Sequence, residues 1–150
     1  MLITLDTTVL VKALVEPRRV KEDKLLREQL RLHKIAFSIV ADIQKGKNQL
    51  CIPSVAIVET ASVVSRLTGS EELGKEAADF VTELAHSIIY DVELLDKAVA
   101  IATNTKASGF DVIFLACSKL TNSMLITDDA GMHKAAASAG VESKLLREMQ

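Results

Sequence analysis

Short uninterrupted apolar runs at residues 2–5, 50–52, 88–90 and 124–126 alternate along the chain with longer segments whose apolar residues recur every three or four positions. The short runs read as buried strands, and the longer rhythm reads as helices packed by one face. Oxygens of Asp6, Thr7 and Thr8 suit the cap of a short helix running through Glu16, which Pro17 ends. From about Arg18 to Lys45 there is neither Gly nor Pro, and Leu26, Leu30, His33, Phe37 and Val40 line one helix face. A second stripe, Leu32, Ala36, Ile39 and Ile43, widens the apolar surface of its carboxyl half. Ser54 is a candidate cap for a helix from Val55 to about Leu67, and another runs from Ser70 to about His86. Helices from Val92 to about Thr105, from near Phe110, and from about Asp129 to Ala139 follow, with Gly140 as a stop. No form is assigned to the segment after it. Parallel strands need long crossovers, so strands separated by helices predict an α/β fold: a three-layer α/β/α sandwich with a mainly parallel sheet, in one domain spanning 1–150.

Composition narrows the picture. Of 150 residues 49% are hydrophobic but only 3% aromatic, so the core is aliphatic and an aromatic platform for stacking bases is not expected. With a net charge of -2, nucleic-acid binding would need a local basic patch. The candidate RNA-binding face is Lys24, Arg27, Arg31 and Lys34, preceded by Arg18 and Arg19 and diluted by Glu22, Asp23 and Glu28. Cys51 and Cys117 have no Cys or His partner at metal spacing and read as small buried hydrophobes. His33, inside an apolar stripe, reads as a packed histidine. The first apolar run reaches Asp6 too soon for a signal peptide, and no apolar stretch has the ~20 residues of a membrane span. A cytoplasmic protein with no membrane partner is the expectation.

Candidate chemistry lies in the acids. Two strands run straight into Asp, at Asp6 and at Asp128–Asp129, and ligands of open α/β sheets bind outside the carboxyl ends of strands. Glu59 and Asp111 sit among apolar residues on helix faces expected to point inward. If Asp6, Glu59, Asp111 and Asp129 converge, each pair repels by about 3 kcal/mol at ~5 Å in an effective dielectric near 20. A cation must then neutralise them. Oxygen-only ligands suit Mg²⁺ or Mn²⁺, and such ions activate water for attack on a phosphodiester.

The segments Leu5–Val11, Ile52–Ser54 with Glu59, Gly109–Ala116 and Leu125–Asp129 resemble the PIN-domain nucleases, including the VapC toxins of toxin–antitoxin modules. The resemblance covers nearly the whole chain. It implies a metal-dependent endoribonuclease with Asp6, Glu59, Asp111 and Asp129 as metal-binding catalytic acids and Thr127 as the strand-end hydroxyl. It further implies an RNA substrate, an antitoxin partner and a homodimer, to which the broad apolar surface of the long second helix also points. Thr8 stands where many members have Asn. Phosphatase and phospho-receiver patterns fail, because Thr8 replaces the required second acid and Asp6 stands alone at its strand end. The rival is a non-catalytic PIN-like module that binds RNA or protein, which a metal-binding titration would separate from an enzyme.

Overall fold

A computed structural model describes residues 1–18, 21 and 23–150. Five strands form one sheet: β1 (Leu2–Leu5), β2 (Gln49–Pro53), β3 (Ala85–Ile89), β4 (Met124–Thr127) and β5 (Ser143–Leu145). Among the described residues seven helices connect them: α1 (Thr7–Leu14), α2 (Lys24–Gln44), α3 (Val55–Thr68), α4 (Glu71–Leu84), α5 (Asp91–Asn104), α6 (Gly109–Thr121) and α7 (Ala130–Ala139). All strand pairings are parallel, in the order β3-β2-β1-β4-β5. The expected α/β sandwich is the observed fold.

From β1 the chain steps outward to β2 and β3, then returns to the other side of β1 for β4 and β5. Right-handed crossovers in opposite directions put their helices on opposite faces of the sheet. The direction reverses between β1 and β4, the position at which open α/β sheets take ligands outside their strands' carboxyl ends. The central strands are buried on both sides: Ile3, Leu5, Leu50, Ile52, Leu125 and Ile126 are at most 3% exposed. Phe114 and Leu115 of α6 complete the core. The packing of α3 on α4 depends on Gly74, where an added Cβ would stand 2.7 Å from the Ala61 carbonyl.

Several boundaries correct the sequence expectation. α1 ends at Leu14 and its cap Val15 is already extended, because the chain ahead must accommodate Pro17. The second helix begins at Lys24, where the Asp23 carboxylate accepts from Leu26 N at 2.8 Å, so Arg18 and Lys21 lie outside it. Arg19 and Glu22 lie outside the described residues. α4 stops at Leu84 and β3 starts immediately, earlier than the apolar run at 88–90 suggested; His86 is an exposed residue of that strand. Ser54 stands before α3 with helical dihedrals and no side-chain cap, and its backbone N–H donates to the Ile89 carbonyl at 2.9 Å. The unassigned tail supplies β5 and a 3₁₀ turn at Leu146–Glu148.

On α2 the buried face is Leu32, Ala36, Val40 and Ile43, while Phe37 remains 58% exposed. His33 is packed as expected: its Nδ1 lies 2.6 Å from the Lys12 carbonyl and its ring is tilted against Phe37. Both cysteines are buried and free, and burial pushes the Cys117 thiol up to about 12. No described helix is long and apolar enough to cross a membrane.

Candidate active site

β1 delivers Asp6 to this edge of the sheet, and the same residue caps α1. Its Oδ1 accepts from Val9 N at 2.9 Å and from Thr8 Oγ1 at 2.6 Å, while Oδ2 accepts from Thr127 Oγ1. The Asp6 N–H donates to the Ile126 carbonyl at 3.1 Å, joining the ends of β1 and β4. The side chain is 1% exposed, yet no described cation bonds to it. Burial therefore raises its pKa above the ordinary carboxylate value; the hydrogen bonds from Thr127, Thr8 and Val9 oppose this, and the charge of Asp128 adds to it.

Thr127 connects two of the predicted acids. Fully buried at the end of β4, its hydroxyl donates to Asp6 and accepts from Asp129 N at 3.0 Å. Asp129 is exposed and caps α7, accepting from Met132 N at 2.8 Å. Gly131 leaves it room, since a Cβ there would lie 3.0 Å from Asp129 Oδ1. Glu59, half-buried on α3, accepts from Thr7 Oγ1 at 2.5 Å, so adjacent threonines of α1 hold the Glu59 and Asp6 carboxylates. Asp111 is half-buried in the first turn of α6 and has no hydrogen bond or ion pair among the described residues.

The fold thus brings Asp6, Thr127 and Asp129 into one bonded chain, with Glu59 joined through α1. It does not gather the acids into a cage: among the described residues no three acidic, His or Cys side chains lie close enough together to hold a metal ion. Carboxylates without a cation repel, and here Asp129 takes a helix cap and Glu59 a hydroxyl instead. The donor set is nonetheless all oxygen, and a buried carboxylate with no cationic partner suits a hard divalent ion.

Asp128 is occupied differently. Only 9% of its side chain is exposed, and it pairs with Lys12 Nζ at 3.3 Å and Arg147 Nε at 3.1 Å. Arg147 also donates to the Asp128 carbonyl at 2.6 Å. Beside this cluster a cleft of about 500 Å³ runs along α1 and α3, lined by residues that include Thr7, Thr8, Lys12 and Arg18.

A family model for the PIN domain matches residues 3–138, nearly the whole of the chain. The protein belongs to the PIN domain family. Members of this family are generally nucleases that use a divalent metal. Solved structures sharing the PIN fold include VapBC2 from Rickettsia felis bound to a DNA fragment from their promoter, at 16% identity and a TM-score of 0.62, over 97% of this chain and 98% of that one. FitAcB from Neisseria gonorrhoeae is similar at 14% identity and a TM-score of 0.65, covering 98% of this chain and 99% of that one. No match is found among curated proteins.

Of the basic residues expected to contact RNA on this PIN domain, Lys24, Arg27 and Lys34 are exposed on α2. Arg31 is engaged elsewhere. Its guanidinium grips Glu28 at 2.7 and 2.9 Å and donates to the carbonyls of Arg147 and Met149 at 2.9 and 3.0 Å, fastening the chain end to α2. Sequence reasoning missed Lys12, Thr7 and Arg147. Lys12 carried one usable signal: it is the lone basic residue of a helix that begins at a predicted site acid.

Proposed function

We propose that this PIN-domain protein is an endoribonuclease that depends on Mg²⁺ or Mn²⁺ and acts as the toxin of a toxin–antitoxin pair. The observation that carries the reading is the buried Asp6 carboxylate, without a cation, at the point where the sheet reverses direction beside Asp129. Asp6, Glu59, Asp111 and Asp129 would hold the ion. Such an ion, when bound, lowers the pKa of water and offsets charge on a phosphodiester. Thr127 fixes the orientation of Asp6 and of the backbone leading into Asp129, and Thr7 does the same for Glu59. No cysteine is available as a nucleophile, since both are buried. Lys24, Arg27 and Lys34 would contact RNA along α2.

Three of the solved structures of like fold are named as VapBC or FitAB, two of them bound to DNA, which supports an antitoxin partner for this chain. A homodimer belongs to the same reading. Exposed apolar residues suited to it lie on α5, where Val92, Leu95 and Val99 are 56–81% exposed, as well as on α2.

The test is cleavage of labelled single-stranded RNA with Mg²⁺, with Mn²⁺ and with excess chelator, together with a metal-binding titration of the protein alone. Metal-dependent cleavage is expected. Undiminished cleavage in chelator sinks the metal reading, and metal binding without cleavage of any RNA favours the non-catalytic module. A small adjoining reading frame encoding a DNA-binding protein would support the toxin role.

A further inference from the structure

Lys12 stands where two features meet. Its side chain lines the cleft along α1 and α3, and its ammonium reaches Asp128 at 3.3 Å, the acid whose charge Asp6 feels. The cleft opens on Thr7 and Thr8, the hydroxyls bonded to Glu59 and Asp6. Its walls are apolar, from Val11, Val63 and Leu67, while Lys12 and Arg18 put positive charge along it and, among the described residues that line it, Glu16 is the one acid. At about 500 Å³ it falls within the usual size range of small-ligand sites, large enough for one nucleotide unit.

Asp128 has a second counter-charge besides Lys12. Arg147 holds Asp128 through both its carboxylate and its carbonyl, and Arg147 is itself fixed because Arg31 grips its backbone. Lys12 can therefore leave without stripping Asp128 of its counter-charge. With a third of its side chain exposed, it can turn to a second anion. A phosphate is the anion that fits, because a site for a strand next to the carboxylates needs a cation to offset their repulsion of the backbone.

Resting on the ribonuclease reading above, we infer that Lys12 exchanges its ion pair with Asp128 for an RNA phosphate, and that the neighbouring nucleotide lies in the cleft between Lys12 and Arg18. Lys12 is then a substrate-binding residue and Arg147 the group that leaves it free to move.

Fluorescence anisotropy of a short labelled single-stranded RNA, in excess chelator and over a salt series, tests this. Lys12→Gln is expected to weaken binding several-fold at low salt and to reduce the log–log salt slope by about 0.7, the contribution of one phosphate on a single strand. Lys12→Arg should restore the wild-type slope. Asp128→Asn, which releases Lys12, should keep the slope and bind at least as tightly as wild type. If Lys12 serves only to hold Asp128, the Gln and Asn variants will instead lose binding alike, which overturns the inference. So does a wild-type slope in Lys12→Gln, the result expected if the cleft seats a protein segment. Wild-type protein that neither binds nor cleaves RNA fails the ribonuclease reading and this inference with it, whereas RNA binding indifferent to Lys12 fails this inference alone.

Discussion

Replacing Asp6 by Asn separates the two demands on that residue, because the charge that would serve a metal ion burdens the metal-free fold. Burying a carboxylate costs several kcal/mol, and each hydrogen bond to it returns about 1 kcal/mol more than the same bond to a neutral amide. Asp6 receives three such bonds, from Val9, Thr8 and Thr127, and burial still prevails, since its pKa is raised. Asn keeps an acceptor for Val9 and Thr8, and its amide can donate to Thr127 Oγ1 once that hydroxyl turns. The expected gain in metal-free protein at pH 7 is about 1–2 kcal/mol, or roughly 2–8 °C in Tm for a chain of this size. An acid with a raised folded-state pKa keeps its proton to higher pH when folded than when unfolded. Wild-type stability should therefore decline, relative to the variant, as pH rises from the unfolded value of 3.8 through the folded one, and the difference should disappear below that window. Thermal unfolding in chelator from pH 3.5 to 8 reads the effect. Added Mg²⁺ should then reverse the ranking, stabilising wild type by about 2.7 kcal/mol at a hundredfold excess over Kd and leaving the variant unmoved. A variant less stable than wild type at pH 7 in chelator, or a difference flat across pH, would refute the reasoning.

Asp129→Asn should cut metal-dependent cleavage by roughly a hundredfold and Asp128→Asn by less than about tenfold, at saturating Mg²⁺ with both variants folded; the reverse ranking would make Asp128 the ligand. Arg31→Ala should speed amide exchange at Met149, whose N–H bonds to the Leu146 carbonyl, without altering the salt dependence of RNA binding. Neutralising two of Lys24, Arg27 and Lys34 should flatten that dependence by about 1.4, and an unchanged slope would assign RNA contact elsewhere. Sedimentation should find a self-associated species at micromolar protein that Leu95→Lys weakens, and a monomeric wild type contradicts the apolar-surface reasoning.

The central strands were legible because burial on both faces leaves a continuous apolar run, which residues 2–5, 50–52 and 124–126 display plainly. Strands at the sheet edge were not. β3 is half-buried and begins with Ala85 and His86, which interrupt the apolar signal, and β5 is three residues long with Lys144 at its centre. Its pairing to β4 depends on the completed sheet, not on any local pattern. The start of α2 was misplaced for a local reason: nothing in the composition of Arg18–Asp23 stops a helix, and only the cap at Asp23 fixes where the hydrogen bonds begin.

At the site, a strand ending in Asp marked Asp6, Thr127 and Asp129, because strand direction alone carries these side chains to one edge of the sheet. What the sequence concealed is the difference in surroundings between Asp128 and Asp129. Both follow the same strand, and adjacency in the chain makes them look equivalent. The difference is made by Lys12 and Arg147, the first far earlier in the chain and the second in the tail to which no form was assigned. Their two cations neutralise Asp128 and leave Asp129 exposed and free of any cation among the described residues. Counter-charges arriving from distant segments thus decide which carboxylate remains available, and a sequence pattern that finds the acids cannot see them.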